Sequence, residues 1–392
     1  MSTLFEPRKI QWDNPDTYVL TNPKTPTSES DHIKNGLTQF APLVAHFWIA
    51  TSGSTQTNNA HLKWVALAKS AILASAQAVN THLESTNKDI WIHPLPDFHV
   101  GGLGIWARAH LSGAQVFPLE TWNTVEFCKL IEKESGTLSA IVPAQVYDLV
   151  QEKVPAPKSL RAVVVGGGAL DNDLYLRARE LGWPILPSFG LTECASQVAT
   201  AELSSLQKLT PPQLKVLSHV QVKVSDTGRL ALAGNSLLTG YGLFKPESGW
   251  KWEDPKMGEW FTSEDFGKVT NGYLEIFGRT SDFIKIGGES VDLTRLERVL
   301  KHEQQSITHR LPDFVIFAVP DARLGHTIHA AAAAEPGSEN AKWAQTLAER
   351  YNVQVMPYER IRDLHFIEQI PRSPLGKIMR ADLLGRLNLV SQ

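Results

Sequence analysis

Little in this 392-residue sequence offers a covalent or strongly charged scaffold. It holds two cysteines, Cys128 and Cys194, far apart and outside any metal-ligand spacing, so neither a disulfide framework nor a structural zinc explains the fold. Charge of one sign is also missing. The 38 Lys and Arg against 41 Asp and Glu leave a net charge of -3, which gives no electrostatic footprint for nucleic acid or an anionic membrane. No apolar run is long enough to span a bilayer, and Met1–Asn22 is polar without an apolar signal core, so a cytoplasmic protein without membrane insertion is expected. What is present is 42% hydrophobic and 20% charged residues, the make-up of a soluble globular protein with a sizeable core. The length predicts roughly two or three packing units.

Residues 1–45, rich in Pro, Thr, Asn and Asp, predict irregular structure with one short strand at Thr17–Leu20. Leu62–Leu83 is alanine-rich and apolar at helical spacing, which predicts a single buried helix. Strands follow at Asp89–Leu95, Gly113–Leu119, Ser139–Val142, Leu160–Val165 and Pro184–Ser188, with helices at Thr124–Glu134 and Asp171–Leu181. Strands alternating with helices indicate an α/β domain with a largely parallel sheet, whose ligands sit at the carboxyl ends of the strands. From Leu214 to Gly278 short alternating runs with turns such as Asp226-Thr227-Gly228 and Thr270-Asn271-Gly272 predict antiparallel β structure. After Arg279 the pattern is again mixed, with helices at Leu293–His302 and Asn340–Tyr351 and strands at Phe314–Val319, Ile328–Ala334 and His365–Ile367, a small α+β domain.

Several loops have the residues for chemistry, and each also has a plainer reading. Thr51-Ser52-Gly53-Ser54-Thr55 follows the strand-like Phe47–Ala50; Gly53 lets the backbone approach an oxyanion while hydroxyls and N–H groups donate to it, or the loop caps a helix. Gly166-Gly167-Gly168-Ala169 leaves room for a flat ring to lie on the backbone, or is a strand-to-helix turn. In Ser188-Phe189-Gly190-Leu191-Thr192-Glu193, a hydroxyl followed by a carboxylate can hold a phosphate with its magnesium, or Thr192 caps a helix. Asp265 in a β-rich loop can accept both hydroxyls of a ribose, and Arg279 at a domain junction can add a donor. Lys377, in a glycine-containing turn between prolines, can bring one positive charge to a developing oxyanion, or is a solvated terminal lysine. Arg108 stands in an apolar stretch, where a guanidinium needs an anion or a polar partner.

In this order the hydroxylic loop, His99–Leu103, the triple glycine, the Phe-Gly-Leu-Thr-Glu loop, the Asp265 loop, the Gly278-Arg279-x-x-Asp282 junction and the terminal Gly376-Lys377 resemble the acyl-adenylate-forming superfamily. That superfamily comprises acyl-CoA synthetases, peptide-synthetase adenylation domains and luciferases. The likeness runs from about Ile49 to Arg380, and its finer features, His93–Arg108, Phe189–Gln197 and Gly287-Gly288-Glu289, are most similar to the o-succinylbenzoate–CoA ligases of menaquinone biosynthesis.

The resemblance implies an α/β fold: a large N-terminal domain, 1–279, with α/β subdomains and a β-rich portion, and a small mobile C-terminal α+β domain, 280–392, hinged near 279–281. It implies ATP, Mg2+ and coenzyme A acting with a small carboxylic acid, and a homodimer. The resemblance puts Thr51–Thr55 on the β and γ phosphates, Gly166–Ala169 with Ser188, Phe189 and Gly190 around adenine, Thr192 at phosphate and Glu193 at magnesium. It puts Asp265 and Arg279 at the ribose, Lys377 between substrate carboxylate and α-phosphate, His99, Arg108 and Gln197 in the acyl pocket, and Gly287 and Gly288 at the thioester site. A core histidine at position 99 and a structural ion pair at Arg108 are the plainer alternatives.

Three departures stand out. Gln56 and Asn59 occupy the places where the hydroxylic loop usually continues with glycine and lysine, so Lys63 replaces that lysine only if the loop is longer. Glu264 stands where glycine commonly precedes the ribose aspartate, and the region before the hydroxylic loop is short, which predicts a reduced first subdomain. Adenylation for another acid or a carrier protein, and a catalytically impaired nucleotide- or acyl-binding homologue, are the competing expectations.

Overall fold

The structure, a computed structural model, describes residues 7–23, 27–50, 62–245, 248–279, 283–286, 289–307, 312–321, 324–372 and 378–389. Two compact units divide the chain: one runs to Ser263 and resumes over Gly267–Glu275, and the other takes Glu264–Phe266 and the chain from Ile276.

In the first unit, strands Gln115–Pro118, Ile90–His93, Leu138–Ile141, Ala162–Val165 and Ile185–Leu191 lie side by side in that order, all parallel. Their side chains divide by the two-residue period of a strand. Val163, Val165 and Ile185 join Phe127, Ile131, Leu149 and Tyr175 from the helices Thr124–Glu134, Pro143–Gln151 and Asn172–Glu180. Ala162, Val164 and Leu186 face the other way, toward Val79 of helix Lys69–His82 and Ile105 of helix Val100–Ser112. Burial on both faces is why these strands read as unbroken apolar runs. Beyond Ile185–Leu191 the sheet turns antiparallel through Ser196–Thr200, Leu214–Val216, Tyr273–Arg279, Trp260–Thr270, Arg229–Gly234 and Val220–Val224. Its Asn271-Gly272 turn has positive φ at both residues, 52° and 78°, as a tight hairpin demands.

A second sheet orders Tyr18–Leu20, His46–Ala50, Leu62–Ala68, Gly240–Lys245 and Gly249–Glu253. Here two expectations fail. Leu62–Ala68 is the central strand of this sheet, paired on both sides, and the helix starts only at Lys69. Trp64, Val65, Ala66 and Leu67 are all buried, and a continuous apolar run reads alike as buried strand or buried helix. Residues 27–40, expected to be irregular, are a helix, Thr27–Phe40. Among its described hydrophobic residues only Ile33 and Leu37 are buried, against Trp48 and Trp64, so its polar composition concealed it.

The second unit has the expected α+β arrangement. Strands Glu289–Asp292, Phe283–Ile286, Gly325–Ala333 and Phe314–Asp321 are ordered antiparallel, with Ile361–Ile367 added parallel to Gly325–Ala333. Helices Leu293–Gln305 and Glu339–Gln354 cover one side through Leu296, Leu300, Leu347 and Tyr351, and Leu383 packs with Phe317 and Ala331 in a separate cluster. Among the described residues, no helix is long and apolar enough to cross a membrane.

One buried cation fastens the N-terminal segment. Lys69 is 2% exposed, and its ammonium donates to the carbonyls of Gln11 (2.8 Å) and Asn14 (3.0 Å) and to Asn14 Oδ1, while lying 5.0 Å from the Tyr18 ring. Bonds from a charged donor are worth about 1.5–3 kcal/mol each, and an apolar replacement orphans the acceptors. Lys69→Met is therefore expected to speed tryptic cleavage after Arg8 and Lys9 by about tenfold or more. A cleavage rate unchanged from the parent would mean that the segment is held elsewhere.

Candidate active site

Two loops of the first unit leave the carboxyl ends of neighbouring parallel strands. Gly166–Ala169 joins strand Ala162–Val165 to helix Asn172–Glu180, which Asp171 caps by accepting from Asp173 and Leu174 N–H. The loop is thus the strand-to-helix turn, and its exposed Gly167, Gly168 and Ala169 leave its backbone open. Gly167 has φ 80°, which favours glycine. A Cβ on Gly166 would stand 2.8 Å from Ser188 Oγ, and that hydroxyl donates to Val165 O at 3.0 Å. The two loops are therefore in contact, leaving a flat shelf with Phe189 at half-buried depth.

Gly190 is fixed by a closer approach: a Cβ there would meet Ser196 O at 2.0 Å. The chain turns through a short helical segment, Thr192–Cys194, and Leu191, not Thr192, takes the capping position. Ala195 and Ser196 then hold φ 49° and 98° without being glycine, a strain of about 1–3 kcal/mol each.

The turn aims Glu193 inward, 9% exposed. Its Oε1 accepts from Tyr241 O–H at 3.0 Å and lies 3.1 Å from Lys63 Nζ, which also sits 4.0 Å above the Tyr241 ring. Lys63 reaches Glu193 because strand Leu62–Ala68 pairs directly with Gly240–Lys245, Val65 opposite Tyr241 and Lys63 opposite Leu243. Sequence reading passed over Tyr241; the signal was its place between Gly240 and Gly242, where a Cβ would strike Trp252 at 2.3 Å and Leu37 at 2.9 Å. Among the described residues no cluster of three metal-ligating side chains exists. Glu193 alone still suits magnesium, which takes one or two protein oxygens and completes its shell with phosphate and water.

Helix Val100–Ser112 supplies the other wall. His99 is the partly exposed N-cap residue just before it, with its ring 4.5 Å from that of Phe98, which sets aside the core-histidine alternative. Arg108 is 2% exposed and lies 5.5 Å from the Trp91 ring. Its Nη2 passes 3.2 Å from where a Cβ on Gly104 would stand, a point itself 4.0 Å from Ser196 Cβ. Its Nε and Nη1 have no hydrogen-bond partner among the described residues, and no described carboxylate pairs with it, so the structural ion pair is absent there. Burial pushes its pKa down to about 10, which leaves it charged at neutral pH. Gln197, on the adjoining strand, is 5% exposed and accepts from Thr200 O–H at 2.5 Å.

In the second unit, Asp265 is 5% exposed and Arg279 Nε lies 3.1 Å from its Oδ1, with Glu264 3.7 Å from the same guanidinium. Thr51–Thr55, Gly287, Gly288, Lys377 and hinge residues 280–281 lie outside the described residues. On either side of 373–377, Arg372 and Ile378 form an antiparallel bridge, and Arg372 is paired with Asp313 at 2.7 Å.

A model of the family described as AMP-binding enzyme matches residues 18–242, over half of the chain. The chain belongs to the AMP-binding enzyme family. Among curated AMP-binding relatives, the 2-succinylbenzoate–CoA ligase of Listeria monocytogenes serotype 4b (strain F2365) is 26% identical over 314 residues, covering 80% of this chain and 64% of that protein. The 2-succinylbenzoate–CoA ligase of Bacillus pumilus (strain SAFR-032) is 27% identical over 326 residues, with 80% and 63% covered. The chain thus spans just under two thirds of the length of these relatives. The solved o-succinylbenzoate CoA synthetase of Bacillus subtilis, in complex with its acyl-adenylate intermediate, superposes with a TM-score of 0.72 at 23% identity, over 93% of this chain and 78% of that one. The α/β architecture is therefore the fold of that synthetase.

Burial drives the pKa of His219 from 6.5 down to about 4, against the smaller raising effect of the Gln197 backbone. The folded protein keeps this ring neutral while the unfolded chain protonates it, so stability falls as pH drops from 6.5 toward 4, by up to about 3 kcal/mol. His219→Gln, neutral throughout, is expected to flatten that part of the profile; urea titrations at pH 7, 5.5 and 4.5 check it.

Proposed function

We propose that this chain is an ATP-dependent acid–thiol ligase that converts o-succinylbenzoate to o-succinylbenzoyl-CoA through an acyl-adenylate. One observation carries the substrate end of this reading: the charged guanidinium of Arg108, buried with no carboxylate partner among the described residues and with Nε and Nη1 unbonded. An uncompensated buried charge costs several kcal/mol, and a substrate anion removes that cost when it binds. o-Succinylbenzoate has two carboxylates, one to be activated and an aromatic one free to pair with Arg108. His99 and Gln197 line the rest of the acyl pocket in this reading.

In the first half-reaction a carboxylate oxygen attacks the α-phosphorus of ATP and the bond to pyrophosphate breaks. In the second, the thiol of coenzyme A attacks the acyl carbon and AMP leaves. The Gly166–Ala169 shelf with Ser188, Phe189 and Gly190 receives the adenine, Asp265 accepts from the ribose hydroxyls, and Arg279 orients Asp265. Thr51–Thr55 and Thr192 donate to phosphate oxygens, with Lys63 standing in for the loop lysine that the sequence lacks. Glu193 would hold the magnesium, which when bound would supply charge neutralisation to the phosphates. Lys377 stabilises the transition state by its charge rather than by taking a proton. A domain boundary near 279, with the small domain turning about 279–281 between half-reactions, removes Lys377 and brings Gly287 and Gly288 to the thioester site.

The test is ATP–pyrophosphate exchange over a panel of carboxylic acids, followed by thioester formation with free coenzyme A. Exchange with o-succinylbenzoate is expected to fall about 100-fold or more in Lys377→Ala. In Arg108→Met the KM for the acid is expected to rise about 30-fold or more, with the KM for ATP unchanged. Exchange with a different acid alone overturns the substrate, adenylation without transfer to coenzyme A overturns the acceptor, and no exchange at all leaves a nucleotide-binding homologue.

A further inference from the structure

Two donors outside the roles above converge on one side chain in the loop between strand Ile90–His93 and helix Val100–Ser112. Asp97 Oδ1 accepts from His93 Nε2 at 2.7 Å and from the indole N–H of Trp106, also at 2.7 Å. His93 is the last residue of the strand and 1% exposed. Trp106 sits on the helix seven residues beyond His99 and two before Arg108. A single carboxylate oxygen therefore ties strand end, loop and helix together. The backbone is drawn in at the same place: Pro96 O accepts His99 N–H at 3.2 Å and stands 2.2 Å from where a Cβ on Gly102 would be. From outside, the Arg8 guanidinium covers the Trp106 ring at 5.9 Å.

We infer that Asp97 is a positioning residue: by bracketing His93 and Trp106 it sets how helix Val100–Ser112 sits against its strand, and so where Arg108 presents its charge to an incoming carboxylate. This rests on the ligase reading for the identity of that carboxylate. Arg108 Nε and Nη1 have no hydrogen-bond partner among the described residues and the guanidinium rests against the Trp91 ring, so its position follows largely from the helix that carries it. A misplacement of about 1 Å is enough to weaken a charged contact severely. Asp97 itself touches no reactant in this scheme. Its effect is confined to the acid, because the nucleotide shelf is built on the neighbouring strands Ala162–Val165 and Ile185–Leu191.

The experiment uses the whole chain with Asp97→Ala, Asp97→Asn and Trp106→Phe. An asparagine carbonyl oxygen can accept both bonds, so Asp97→Asn keeps the bracket and removes the charge. Asp97→Ala is expected to raise the KM for o-succinylbenzoate about tenfold, with kcat and the KM for ATP within about twofold. Asp97→Asn is expected to stay near the parent, and Trp106→Phe to fall between. In nuclear magnetic resonance spectra the Trp106 indole proton, assigned by its loss in Trp106→Phe, is expected to move upfield in Asp97→Ala and to keep its place in Asp97→Asn. That signature needs no substrate. A parent without exchange on o-succinylbenzoate fails the ligase reading and leaves the indole result standing. An active parent in which Asp97→Ala changes acid and ATP alike, or neither, overturns the positioning role. So does an Asp97→Asn variant as impaired as Asp97→Ala, since the charge and not the bracket would then matter.

Discussion

One strand belongs to two hydrogen-bond ladders, and the candidate site of the first unit hangs on it. Ile185, Leu186 and Pro187 continue the parallel ladder beside Val163–Val165, whereas Ser188–Leu191 pair antiparallel with Ser196–Thr200. A parallel neighbour needs a crossover helix, but an antiparallel one can return at once. The chain therefore leaves Leu191, makes its turn at Thr192–Cys194 and comes straight back. That return places Glu193 and Gln197 within four residues of each other, and the Ser188 hydroxyl on Val165 O locks the junction to the Gly166 loop. Ligands of open α/β sheets sit where strand direction or order changes, and here the change of direction falls within a single strand.

The same return loop shows what the site costs. Positive φ at Ala195 and Ser196, a carbonyl pressed to within 2.0 Å of the Cβ position of Gly190 and a charged arginine sunk in an apolar helix are each unfavourable alone. They persist because rigid neighbours over-determine them: two packed clusters on opposite faces of the parallel sheet hold the strand ends in place. Cys194 shows the degree of exclusion. Burial carries its thiol up to about 12, partly offset by the hydrogen bond with Ser236 at 3.1 Å. It is an inert packing group one residue from the carboxylate that does the chemistry in the proposed scheme.

Much of this was legible in residues whose periodicity has one interpretation. Helix Thr124–Glu134 was read to the residue, and the structure adds Asn123 as its cap. The strand ending at Val165 was read because four consecutive buried aliphatics followed by three glycines fit little else. Where the period is ambiguous the reading failed: Leu62–Ala68 is apolar throughout and extended, not helical. Helix Val100–Ser112 was unassigned because Gly101, Gly102 and Gly104 argue against a helix. Two of them are needed for contacts the sequence hides, Pro96 O at Gly102 and the Arg108 head at Gly104. Arg108 could be singled out from its apolar neighbours, whereas Tyr241 and Asp97 could not, because their partners are 48 residues away across two strands in one case and split between strand and helix in the other.

Strand geometry explains how a lysine comes to stand beside Glu193. The hydroxylic loop lacks its usual lysine, and seven residues separate Thr55 from Lys63. Helical geometry over 62–83, as the sequence suggested, would have pointed Lys63 by a 100° step per residue. A strand instead alternates faces, and pairing with Gly240–Lys245 brings the ammonium over Tyr241 and onto Glu193. Lys63 and the buried Glu193 carboxylate, 3.1 Å apart, offset one another's charge. In the proposed scheme Glu193 would hold the magnesium and Lys63 would serve the phosphates, so the buried carboxylate would have a positive charge beside it with or without the nucleotide.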